Sequence, residues 1–279
     1  MSEVNVERGF VDVAEGQIHY RTCGAGGNPT LIMVHGSPGG ARPLIPLMQE
    51  LGRTFKIYAP DTLGNADSSP AATDQVDIAL LADGLLRAID GLGVDKFYLW
   101  GTHTGGNLSI EASIAAPDRV LRMILDGVGL YPPDEQAAML ANHAPAISPD
   151  DQGSQFNWAW HFTRDSHAFW PWWRRTAAAA RQSGIGSDEA LHLQTMDVLK
   201  SIRTYHLSYR ASLAYAKRER LPLITVPTMV GAGPGDVLGE YTKEAAALVS
   251  GCVLGEIGDI STDEGLRNVA KTYTDFLLA

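Results

Sequence analysis

Four short, mostly apolar runs set the frame for everything else in the chain. They are Thr30-Leu31-Ile32-Met33-Val34, Phe55-Lys56-Ile57-Tyr58-Ala59, Phe97-Tyr98-Leu99-Trp100 and Leu121-Arg122-Met123-Ile124-Leu125, and each ends at a Gly, Asp, Pro or His. Runs of this length that stay apolar on both alternating faces suit strands buried from both sides, as in a parallel sheet. Between them lie helical patterns over 44–51, 76–92 and 107–116, with apolar residues three and four apart. Parallel strands need a crossover between them, so the alternation predicts βαβ units and a doubly wound α/β sheet. The rhythm resumes with a strand over 224–230, a helix over 241–249, a strand over 252–257 and a last helix over 266–278. Pro227 sits awkwardly in the first of these, because proline gives a sheet ladder no donor. Upstream, Gly9 to Cys23 alternates and breaks at Glu15-Gly16, which predicts a hairpin of edge strands.

The stretch 131–220 does not share this rhythm. It predicts helices only, at 133–144, 172–182, 188–200 and 205–218, and reads as a helical cap inserted between the sixth and seventh strands. The expected division is a core of 1–130 and 221–279 with a cap of 131–220. Five of the six Trp fall in the cap: Trp158, Trp160, Trp170, Trp172 and Trp173. At 279 residues and 45% hydrophobic, the chain can bury the core of one α/β domain with such an insertion. A net charge of −10 argues against nucleic acid or an anionic membrane surface as partner. The start, Met1-Ser2-Glu3-Val4-Asn5-Val6-Glu7, is neither basic nor apolar, and no stretch has the length of a membrane span, so a cytoplasmic protein is expected. Cys23 and Cys252 are far apart without metal-type spacing, which predicts two buried free thiols and neither a disulfide nor a zinc site.

Three motifs carry a resemblance. His35-Gly36-Ser37-Pro38-Gly39-Gly40 follows one strand; Asp61-Thr62-Leu63-Gly64-Asn65-Ala66-Asp67-Ser68-Ser69 follows the next; and Trp100-Gly101-Thr102-His103-Thr104-Gly105-Gly106 lies between a strand and a helix. Together they resemble the α/β-hydrolase superfamily: its His-Gly-x-Pro turn, its D-x-x-G-x-G-x-S stretch with Ala66 in place of a Gly, and its nucleophile elbow G-x-S-x-G. The resemblance covers all of the chain but the cap, and implies a mainly parallel eight-stranded sheet with helices on both faces. It implies an oxyanion hole from the backbone N–H groups of Ser37 and Thr104. The family's acid follows the next strand after the cap, where Asp236 ends Gly231-Ala232-Gly233-Pro234-Gly235; an alternative acid position is Asp126.

Two matched positions depart from the family. The elbow serine is His103, and the late Gly-His step reads Gly258-Asp259-Ile260, so Asp259 stands where the family's histidine would be. A serine hydrolase needs a hydroxyl attacker, a base and an orienting acid, and two of these are gone. What remains is an imidazole facing Asp236, Asp259 or Asp126, with a carboxylate fixing its tautomer. The expected function is therefore a cofactor-free enzyme on a small apolar or aromatic carbonyl compound. His103 would serve as base, in ester or lactone hydrolysis or in proton-transfer lyase chemistry, or as direct nucleophile. The rival readings are a pseudo-hydrolase that binds a ligand without turnover, and a cofactor-independent oxygenase or lyase on the same scaffold. His35, Trp158, Trp160 and Phe162 are expected to line the substrate pocket, although His35 also suits a purely structural place in its turn. No metal is expected, and a homodimer stays open beside a monomer.

Overall fold

A computed structural model of the chain describes residues 4–182 and 184–279. The strands are β1 (Glu7–Val13), β2 (Gly16–Cys23), β3 (Thr30–Val34), β4 (Lys56–Pro60), β5 (Phe97–Thr102), β6 (Val120–Asp126), β7 (Thr228–Gly231) and β8 (Val253–Leu254). They form one eight-stranded sheet in the order β1-β2-β4-β3-β5-β6-β7-β8. The hairpin β1–β2 and the pair β2–β4 are antiparallel; every later pair, from β4–β3 to β7–β8, is parallel.

The core helices are α1 (Ile45–Leu51), α2 (Ile78–Gly91), α3 (Thr104–Ala115), α9 (Thr242–Ala247) and α10 (Asp263–Leu277); α4 (Pro133–Asn142), α5 (Ser154–Ala168), α6 (Asp188–Lys200), α7 (Tyr205–Ala214) and α8 (Lys217–Arg220) lie between β6 and β7. The two faces of the sheet are covered by different helices, as the strand period of two requires. Ile32, Val34 and Leu99 pack with Leu81, Leu85 and Leu108 of α2 and α3, whereas Leu31, Met33 and Trp100 pack with Met48 of α1 and Val269 and Tyr273 of α10. Each such side chain, fully buried, adds about 1.5–3 kcal/mol of transfer free energy.

Local chemistry sets several boundaries. The Asp77 carboxylate accepts from Leu80 N at 2.8 Å, so α2 starts after it and not at Val76. β7 starts just after Pro227, whose carbonyl accepts from Met123 N at 3.0 Å and whose missing donor costs nothing at that point. β8 is shorter than expected, two half-exposed residues at the sheet edge. Cys252 is only partly buried, unlike Cys23, whose thiol burial pushes up to about 11.

The insertion differs more. α5 breaks the expected pattern because its inward face carries Thr163 and Asp165 beside Ala159 and Phe162, so no clean apolar stripe marks it. Conversely, the helix expected over 172–182 is an irregular segment with one 3-10 turn at Ala177–Ala179. Its side chains are claimed elsewhere, Arg175 by Asp165 at 2.7 Å and Trp172 Nε1 by the His143 carbonyl at 2.9 Å, and these anchors override the helix propensity of the alanines. No helix among the described residues is long and apolar enough to cross a membrane.

Ala66 has φ of 44°, the left-handed region that favours glycine. Replacement by glycine removes this strain and gives back part of it as chain entropy in the unfolded state. Ala66→Gly is expected to raise stability by up to about 1 kcal/mol in thermal unfolding; a fall in Tm would show that the alanine methyl packs for more than the strain costs.

Candidate active site

The parallel strands end together, and the loops that leave them carry the site. Between β5 and α3, His103 is held at φ 51°, ψ −111°, with its N–H on the Asp126 carbonyl at 3.1 Å and its own carbonyl accepting from Asn107 N at 3.2 Å. The neighbouring glycines are sterically required. A Cβ on Gly105 would run into the carbonyl of Val34 and fall 2.5 Å from that of His35, and one on Gly101 would fall 2.5 Å from Gly105 O. The elbow is thus pressed against the end of β3, and its apex side chain has no course but outward, over the ends of the strands.

There His103 Nε2 meets Asp236 Oδ2 at 2.9 Å. The other carboxylate oxygen accepts from Leu238 N at 2.8 Å, which fixes the Asp236 rotamer. A carboxylate can only accept, so Nε2 carries the proton, and the lone pair of Nδ1 is left to the 40% of this side chain that stays exposed. Burial opposes charge on the imidazole, but the hydrogen bond and charge of Asp236, with the charge of Asp126, outweigh it and hold the His103 pKa above its ordinary value. Burial also works against ionised Asp236, yet the His103 bond and charge, the Leu238 N–H and Arg181 together hold its pKa below the usual carboxylate range.

Asp126 stands behind this pair. Burial pushes its carboxyl up to about 6, against the hydrogen bond from Tyr273 Oη at 2.9 Å and the charge of His103. The loop between Asp126 and the insertion makes the room: Gly127 has φ of 76°, and a Cβ there would lie 2.6 Å from His103 Cδ2 and 2.9 Å from Asp236 Oδ2. Neither Gly127 nor Tyr273 stands out in the sequence, though a glycine directly after a candidate acid is a signal that could have marked the first.

A cavity of about 40 Å³ opens beside His103, lined also by Ser37, Thr104, Asn107, Trp170 and Lys217. Room of this size takes two or three waters. The N–H of Thr104, at the first position of α3, and the N–H of Ser37 have no partner among the described residues.

Other expected site residues lie elsewhere. Asp259 is exposed, with its oxygens on Ser261 N at 2.8 Å and Ser261 Oγ at 2.7 Å, so it caps its own loop and is no partner of His103. Those bonds, backbone first, hold its pKa below the usual range. His35 is buried in its turn, Nδ1 donating to Gly36 O at 2.7 Å and Nε2 accepting from Thr62 N at 3.0 Å, which leaves no ring nitrogen for a substrate. Trp158 and Phe162 stack at 5.0 Å within the insertion and Trp160 is 40% exposed, so none of the three lines the cavity. The aromatic wall comes instead from Trp170, Tyr131 and Tyr209.

Two outcomes check this arrangement. The His103 ring protons, followed by NMR across pH, should titrate above the ordinary histidine value near 6.5, and Asp236→Asn should lower that midpoint, since burial then acts with less opposition. Gly127→Ala should displace the pair by sterics and strain its own φ, at a cost of about 1–2 kcal/mol in stability, and should shift the His103 midpoint as Asp236→Asn does; an unmoved midpoint would show that the pair does not need this gap.

Comparison with known proteins fits this geometry. A sequence model of the alpha/beta hydrolase fold matches residues 29–180. The 2-hydroxy-6-oxononadienedioate/2-hydroxy-6-oxononatrienedioate hydrolase 1 of Dechloromonas aromatica is 31% identical over 141 residues, 47% of either chain. Haloalkane dehalogenase 2 of Mycobacterium tuberculosis is 28% identical over 131 residues, 47% of this chain and 45% of its own. The match thus spans about half the length of these curated relatives. Among solved structures, the enol-lactonase of Burkholderia xenovorans LB400 superposes with a TM-score of 0.71 at 18% identity, over 97% of this chain and 100% of its own. A hydrolase from Pseudomonas aeruginosa PA01 gives 0.71 at 20% identity, over 98% and 99%. In its sheet order, its strand-elbow-helix and the matched residues, this chain belongs to the α/β-hydrolase fold family.

Proposed function

We propose that the chain is a cofactor-free enzyme acting on a small carbonyl compound, with His103 as its general base and Asp236 as the group that orients it. The observation that carries this reading is the 2.9 Å bond from Nε2 to Asp236, which leaves the lone pair of the neutral imidazole on Nδ1. The relatives named as hydrolases, a dehalogenase and an enol-lactonase support a hydrolytic use of the same scaffold.

In this scheme Nδ1 takes a proton from water as the oxygen attacks the carbonyl carbon. The N–H groups of Ser37 and Thr104 receive the oxyanion, and Asp236 stabilises the imidazolium. Collapse of the tetrahedral intermediate breaks the C–O bond to the leaving alkoxide or enolate, which takes the proton back from Nδ1. With a substrate whose C–H is acidic, the same nitrogen removes that proton, and no water is consumed. The insertion acts as the cap over this site. A second reading, ligand binding without turnover, is favoured by the cavity of only about 40 Å³ and the missing serine.

Hydrolysis of 4-nitrophenyl acetate and of small lactones decides between them. Wild type should turn over, with a rate that climbs with pH through a limb above 6.5, because the raised His103 pKa keeps the base protonated below it. A general base of this kind contributes about 10²–10⁴-fold, so His103→Ala should lose a factor of that order, and Asp236→Asn should move the limb to lower pH. Equal rates for wild type and His103→Ala would remove His103 from the chemistry.

A further inference from the structure

The cavity beside His103 has one lysine in its lining, which this scheme does not use. Lys217 opens α8 and is 7% exposed, yet among the described residues its ammonium makes one hydrogen bond, from Nζ to Ser212 O at 2.9 Å, and otherwise meets only the Tyr215 ring, 5.8 Å from its centroid. Its basic neighbours each have a carboxylate, Arg218 at Glu244 and Arg220 at Glu111, while Lys217 joins no ion pair among the described residues. A buried ammonium without a counterion is costly, and an anion that enters beside it gains what the protein itself does not supply.

One further donor stands in the same lining. Ser212 Oγ accepts from Asn107 Nδ2 at 2.7 Å, which leaves the hydroxyl proton of Ser212 to be donated, and Asn107, Ser212 and Lys217 all line the same cavity as His103. Lys217 is the one lysine or arginine in that lining. We propose that Lys217 and Ser212 form an anion subsite that holds a carboxylate of the substrate, so that the carbonyl compound acted on is a short acid or half-ester. Because both residues line the one cavity, the carboxylate and the reacting carbonyl belong to the same small molecule. Burial, then the charge of Arg218, pulls the Lys217 pKa down to about 8, as expected of an ammonium that lacks its anion. The assignment of the reacting carbonyl rests on the reading of His103 as base; the assignment of the anion subsite does not.

Binding separates the two. Propionate and propionamide have nearly the same shape and differ in charge, and their affinities for the full chain can be compared by amide NMR titration. Wild type and His103→Ala should both bind propionate more tightly by about tenfold or more, the size of one hydrogen bond to a charged group. Lys217→Met should bind the two alike. The proposal is overturned by equal affinities or no binding in wild type, by a preference that survives Lys217→Met, or by one that vanishes in His103→Ala, which would put the anion on the imidazole. The wild-type and His103→Ala arms need no change at Lys217, so they decide the matter even if Lys217→Met folds poorly. Inert esters together with an intact propionate preference would remove the proposed chemistry and leave the subsite standing.

Discussion

The close approach of the elbow to the end of β3 is the constraint from which the rest follows. Gly105 lies so near the carbonyls of Val34 and His35 that any side chain there would push the two segments apart. The backbone can make that approach only by turning sharply out of β5 and into α3, and the turn places residue 103 at positive φ with its side chain outward. Histidine is among the residues that tolerate such a backbone better than β-branched ones do. The fold therefore presents whatever stands at 103 to the gap between the sheet and the insertion, and it also leaves the first N–H of α3 free beside it.

Given that placement, electrostatics decides what the imidazole can be. In a serine-histidine-acid system the acid orients a histidine that lies between it and the nucleophile. Here one ring occupies the apex and reaches a carboxylate directly. Gly127 makes this contact possible, since a Cβ would fill the space in which the ring and the carboxylate meet. In the late loop Asp259 bonds its own turn, at Ser261. Tyr273, reaching up from the last helix, ties down Asp126, so that the second acid stays a background charge and does not compete for Nε2.

Much of this was legible in the sequence, and the part that was not has a common cause. Strand runs such as Leu31 to Val34 carry their burial on both faces in their composition, and the elbow glycines carry a steric need in their spacing. Asp236 could be placed because its glycine-rich turn after the strand matches the position of the family's acid. The insertion resisted because its order comes from pairings between distant residues: Asp165 with Arg175, Trp172 with the His143 carbonyl, Tyr209 with His143 at 2.9 Å. Such bonds have no period along the chain. For the same reason the cap tryptophans pointed to the pocket in general but not to Trp170, and a lysine buried by tertiary packing looks in sequence like any other charge on a helix.

The insertion that lines one side of the cavity is fastened to the core by polar contacts. Its C-terminal part is tied firmly to the core: Arg220 and Tyr215 converge on Glu111 of α3 at 2.6 and 2.7 Å, and Arg218 donates to the carbonyls of Leu130 and Tyr131. α6 and the turn after it are tied too, through Asp197 to Arg42 at 2.6 Å and Ser201 Oγ to Ala66 N at 2.7 Å. Paired charges and backbone bonds of this kind resist separation because each lost partner leaves a polar group unsatisfied. The irregular segment that carries Trp170 meets the core through Arg181, which bonds Gly235 O at 3.2 Å beside Asp236, and through Trp170 itself, packed with Tyr131 and Leu238. The C-terminal part fixed in this way carries Lys217, so the one lysine of the cavity lining sits on a firmly held wall.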